Sequence, residues 1–146
     1  MELSDAIEFA SGQRQSVITT LKRDGKPQLS NVIHHVDDNG VVQISITADR
    51  AKYTNLVRQP WAALHVTQPD FWAYVVLEAD AGLLPIATAP DDATVDALIT
   101  LYRRLAGEHP DWDAYRAAMV TERRTVLSLT PIHAYGMLRL PRASGT

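Results

Sequence analysis

Residues 15–48 constrain the fold more than any other stretch. QSVITTLK (15–22) alternates, with Val17, Thr19 and Leu21 on one side, which is the period of a strand. RDGK (23–26) follows, and its Asp24-Gly25 pair signals a tight turn because glycine tolerates positive φ. PQLSNVIHHV (27–36) is the returning strand, and DDNG (37–40) places Asn39-Gly40 at a second turn. VVQISITA (41–48) is a third strand, with Val42, Ile44 and Ile46 on one face and Gln43, Ser45 and Thr47 on the other. Three strands joined by two tight turns make an antiparallel meander. No βαβ series follows and no GxGxxG succeeds a strand, so a dinucleotide-binding parallel sheet is excluded.

The rest of the chain adds strands and then helices. WAALHVTQ (61–68) and FWAYVVLEADAGLLP (71–85) read as strands, and TVLSLTPIHAYGML (125–138) holds a last strand or two, broken at Pro131. Residues 1–12 predict a short helix capped by Ser4 and ended by Gly12. Asp49 stands as the N-cap of a helix over 50–58 that Pro60 stops. Residues 89–110 carry Val95, Leu98, Ile99, Tyr102 and Leu105 at helical spacing behind Asp91-Asp92, and 111–122 form a second amphipathic helix. The pattern predicts a mainly β domain over 1–146. It has six antiparallel strands closing into a barrel, a helical insertion at 89–122, and a frayed tail at 139–146. A sandwich is the alternative architecture.

Composition limits what such a domain can do. The net charge is −3 over 146 residues, which argues against general nucleic-acid binding. There is no cysteine, so thiol catalysis and disulfides are out. No apolar run approaches the roughly 20 residues of a membrane span. MELSDAIEF lacks a basic segment followed by an apolar one, which points to a cytoplasmic chain without a signal peptide. His34 and His35 are adjacent on a strand and face opposite ways, so they cannot ligate one ion, and His65 and His133 stand alone. No metal site is expected. The charges at 102–104 and 122–124 read as solvated or paired surface charges, and Trp112 as a packing anchor.

RAKYTNLVR (50–58) does not fit a plain surface helix. Arg50 and Lys52 fall in its first turn, where the macrodipole disfavours cations by roughly 0.3–1 kcal/mol each. A bound anion would resolve that conflict, with free N–H groups, a guanidinium and an ammonium converging on a phosphate and Asn55 donating from its amide. A solvated face is the competing explanation.

KPQLSNVIHH, RAKYTNLVRQPWA, WAYVVLEADA, the helical stretch APDDATVDALITLYRRLAGEHPDWDAYRAAMV and the closing HAYGM together resemble the flavin/deazaflavin oxidoreductase superfamily. The likeness runs from about residue 13 to residue 137 and is nearest to the mycobacterial and actinobacterial branch that uses coenzyme F420. It implies the split β-barrel of pyridoxamine-phosphate oxidase and a homodimer with the cofactor at its interface. It further implies that Arg50, Ala51, Lys52 and Asn55 grip the cofactor's phosphate and acidic tail. Gln28, Ser30 and Asn31 would lie along the deazaflavin ring, and Trp72 and Tyr74 would supply a second wall. The reaction implied is hydride transfer from reduced F420 to a small unsaturated or conjugated substrate, with no dedicated acid or base. The alternatives are an FMN-dependent oxidase or reductase on the same barrel, and a non-catalytic F420 carrier. Gln28 and Ser30 share one strand face, while Asn31 points the other way unless a bulge intervenes.

Overall fold

The computed structural model describes residues 1–138; the tail expected at 139–146 lies outside them. The elements are α1 (Leu3–Ser11), β1 (Gln15–Leu21), β2 (Pro27–Ile33), β3 (His35–Val36), β4 (Val42–Thr47), α2 (Ala51–Arg58), β5 (Trp61–Thr67), β6 (Tyr74–Leu83), α3 (Ala93–Ala106), α4 (Trp112–Thr121) and β7 (Arg124–Met137). Seven strands form one antiparallel sheet in the order β2-β1-β5-β6-β7-β4-β3.

Seven strands stand where six were expected because the run 27–36 divides at His34. Its first part pairs with β1 and its last part with β4. The two edge strands of the sheet are therefore consecutive in sequence, with one residue between them. The sheet curls until its edges meet at that corner, and no ladder joins β2 to β4 among the described residues: the barrel is split.

His34 holds the corner and is fully buried. Its Nε2–H donates to Ala10 O at 2.9 Å, and its Nδ1 accepts from Ser16 Oγ at 2.7 Å. Its backbone N–H donates to Arg14 O at 2.8 Å. Both ring nitrogens are thus satisfied in the neutral form.

Burial alternates along β1, β4 and β5, so each turns one face inward. The inward faces supply Ile18, Ile44, Ile46, Leu64, Leu77, Leu127 and Leu129, and the small residues Ala6 and Ala10 let α1 pack closely on this core. A second cluster forms outside the barrel, where Val95, Leu98, Leu101 and Met119 of α3 and α4 cover Val126 of β7. Asp92 caps α3 by accepting from Val95 N–H at 2.8 Å, and Asp111 caps α4 through Ala114 N–H.

Several expectations give way to local chemistry. Ser4 lies inside α1, whose cap position is Glu2, without a side-chain bond. The cap position of α2 is Arg50, not Asp49, and its side chain makes no capping bond either. Residues 71–73 precede β6 rather than belonging to it. Asp70 accepts from Trp72 N–H at 3.1 Å, and Phe71 takes a left-handed φ of 73°, which breaks the extended run. The last segment is one strand: Ile132 is the extra residue of a bulge opposite Glu78 and Ala79. Pro131, which has no N–H to give a ladder, sits beside that irregularity.

Candidate functional site

A cleft of ≈ 640 Å³ opens along the split, bounded by the outward faces of β1, β2 and β5 on one side and by β4, β7, α2 and the end of α3 on the other. Asn31, Ser45, Lys52, His65, Leu105 and Arg124 are on its wall. No carboxylate among the described residues lines it.

Helix α2 delivers Lys52 to this cleft. The helix has no acidic residue in its first turn, so nothing in its own sequence offsets the positive end of its dipole. Burial pushes the Lys52 ammonium below the ordinary lysine range, and the charges of Arg50 and Arg124 push it the same way. Lys52 is thus a partly buried cation beside an exposed Arg50 and an Arg124 that Glu122 only partly offsets. An anion would relieve its position.

Arg124 was read from sequence as a solvated or paired surface charge; it is paired, with Glu122, but it is partly buried. It is the first residue of β7, opposite Thr47, and only 28% of its side chain is exposed. It donates to Ser45 Oγ at 3.1 Å and to Glu122 at 3.1 Å. Its Nε is buried without a partner among the described residues. Such an orphaned donor is rare in folded proteins and calls for an explanation, a bound ligand being one. No one-dimensional signal separates Arg124 from Arg123; only the β4–β7 register brings it beside Lys52. Arg14 is a second residue the sequence left unread. Its guanidinium bonds Leu105 O and ties the end of α3 to the strand side of the cleft.

The other anticipated residues divide into two groups. The β2 register is unbroken, so no bulge rescues the trio: Asn31 faces the cleft, while Gln28 and Ser30 share the inward face with Thr20 and Ile18. Arg50 and Ala51 are exposed at the start of α2. Asn55 is spent inside the fold, in contrast to the expected phosphate donor. Its amide donates to Thr20 Oγ1 at 3.1 Å and to Gln28 Oε1 at 3.0 Å, and its carbonyl accepts from Arg58 at 3.0 Å. Tyr74 sets its ring edge-on to His65, centroids 5.3 Å apart, and so backs the cleft wall. Trp72 lies on the loop before β6 with 63% of its surface exposed, next to Phe71 at 79%; neither lines the cleft of its own chain.

The donor set suits a phosphate-bearing ligand with a planar body. Lys52 and Arg124 provide cationic donors, Asn31 and Ser45 neutral ones, and Val17, Ile33 and Leu105 an apolar floor.

No family model matches the chain. Its fold is that of solved split barrels related to pyridoxamine 5'-phosphate oxidase. A conserved hypothetical protein from Mycobacterium tuberculosis superposes with a TM-score of 0.72 at 20% identity, covering 100% of this chain and 92% of that one. An F420 reductase gives 0.67 at 22% identity, covering 88% and 94%. A pyridoxamine 5'-phosphate oxidase-related, FMN-binding protein from Nostoc punctiforme gives 0.59 at 15% identity, covering 92% and 81%. Heme-binding and heme-storage proteins share the fold as well.

Proposed function

We propose that this split barrel is an F420-dependent oxidoreductase, working as a homodimer on a small unsaturated or conjugated organic substrate. The observation that carries the reading is the cleft that Lys52 and Arg124 share, whose described lining holds no carboxylate, Glu122 pairing with Arg124 from outside it. Lys52 would hold the cofactor's phosphate, with Arg124 adding its charge from the wall behind, Arg50 and the Ala51 backbone would sit at its edge, and Asn31 would lie beside the ring. When bound, the reduced cofactor supplies a hydride. The chain's own residues bind it, orient it and keep water away. None of the cleft side chains is assigned as an acid or base.

Exposed apolar side chains support the dimer. Leu29 and Ile33 share the outward face of β2, and Tyr135 and Met137 lie exposed on β7. Apolar side chains exposed on a sheet face are of the kind a partner covers. A second copy would also bring its Phe71–Trp72 loop and Tyr74 toward the first copy's cleft, which the single chain leaves open. No helix of the described residues is long and apolar enough to cross a membrane; the cytoplasm is the proposed location.

Fluorescence titration with oxidised F420 tests the reading, with FMN titrated in parallel. Tight F420 binding and weak FMN binding is the expected result; the reverse would move the chain to the FMN-dependent alternative, and no binding of either at tens of micromolar would reject a flavin-type cofactor. Lys52→Ala should weaken F420 binding by about 1.5–3 kcal/mol, the usual loss for a charge-assisted hydrogen bond. Turnover with a panel of enones and quinones separates an enzyme from a carrier.

A further inference from the structure

A second cavity, of ≈ 330 Å³, lies under the α3–α4 hairpin. Leu98, Leu101, Tyr102, Tyr115 and Met119 line it, and Arg124 stands at its edge together with Ser45 and Leu105. These last three also line the first cleft, so the two spaces share a wall whose only charged side chain is Arg124.

The chamber does not collapse because its aromatic walls brace one another. Tyr102 meets Tyr115 edge-on at 5.1 Å and Trp112 at 5.6 Å. Tyr115 is further fixed by donating its hydroxyl to Leu98 O at 3.2 Å. The space is open to solvent on one side, so an apolar ligand can enter it.

The chemistry at the mouth is one-sided. Arg124 has a single carboxylate partner, Glu122, itself 43% exposed, and a buried Nε with none. Lys52 adds to the same positive field. Asp96 is turned to a surface pair with Arg116. An apolar ligand with an anionic head satisfies both halves of this site, and one with a cationic head satisfies neither Arg124 nor Lys52.

We propose that the hairpin chamber binds a medium-chain or aryl carboxylic acid, its apolar part among Leu98, Tyr102 and Met119 and its carboxylate on Arg124. The site stands independently of the cofactor reading; taken with it, the substrate class is an unsaturated or aryl-conjugated carboxylic acid, seated beside the cofactor cleft so that its double bond can accept the hydride, with decanoate serving only as a binding probe.

Calorimetric titration of the cofactor-free protein with decanoate below its micelle concentration tests this. Decanoate should bind with sub-millimolar affinity, and decylamine should bind roughly ten- to a hundredfold more weakly, the ratio expected for losing a charge-assisted contact. Met119→Trp should fill the chamber and abolish decanoate binding while F420 binding is kept. Ala106→Phe, at an exposed position on the rim, gives the same readout if the first variant does not fold. Equal affinity for the two head groups would overturn the Arg124 assignment. Undiminished decanoate binding in a folded filled variant, or no binding to the wild type at millimolar concentration, would overturn the site. Loss of F420 binding with decanoate binding intact would instead remove the proposed function and leave this site standing.

Discussion

Replacing Asn55 by alanine separates a structural amide from a ligand-binding one. The side chain is buried, with 6% of the residue exposed, and it holds three bonds that join α2 to β1, β2 and its own last turn. Thr20 Oγ1 is the costliest loss. Thr20 is 1% exposed, so its hydroxyl is left with neither partner nor water, at about 1–3 kcal/mol. Gln28 is partly exposed and can turn to solvent, which limits that term to about 0.5–1 kcal/mol. Arg58 keeps its bond to Leu21 O, so little is lost there. The sum is about 1.5–4 kcal/mol of unfolding free energy, measured by urea denaturation at constant m-value. Thr20→Val replaces the hydroxyl by a methyl of similar shape. The double variant should therefore be about 1–2 kcal/mol more stable than the sum of the single effects predicts. F420 affinity of the folded Asn55→Ala protein should change little. A variant as stable as the wild type that has lost F420 binding would refute the reasoning and return Asn55 to the ligand.

Two further outcomes follow from the fold. Burial holds the His34 imidazole below its ordinary range, the bond to Ala10 only partly opposing it, so the unfolded chain takes up its proton first. Stability should fall as pH drops below about 6.5, and His34→Gln should flatten that part of the urea-midpoint profile relative to wild type; identical slopes would dismiss His34 as the source. Gly136 has φ +150°, and a methyl added there would lie 2.2 Å from Tyr74 O and 2.8 Å from Val75 Cα. Gly136→Ala should lower the unfolding free energy by about 1–3 kcal/mol through a forced shift of the β6–β7 ladder, and a thermal midpoint within a degree of wild type would contradict this.

Much of the architecture was written in local pattern. The alternation of Val42, Ile44 and Ile46, the turns at Gly25 and Gly40 with their positive φ, and the stripe from Val95 to Leu105 depend on neighbours a few residues away. So does the conflict of Arg50 and Lys52 at the start of α2, which needs only the helix dipole to be seen. These elements formed where their periods placed them, because strand and helix geometry fix which side chains share a face.

What the sequence could not hold is the meeting of distant segments. The division of 27–36 at His34 follows from barrel closure, where one strand must leave β1 and join β4. Arg124 became a candidate ligand only when the β4–β7 register set it beside Ser45 and Lys52, some seventy residues away in the chain. Asn55 changed from presumed ligand to internal brace because Thr20 and Gln28 were waiting across the α2–β1 contact, and the hairpin chamber exists only as the space that α3, α4 and the sheet leave between them. Local order obeys backbone geometry and is legible in one dimension; a site needs charges and cavities brought together by the whole fold, and that depends on which surfaces are buried against which.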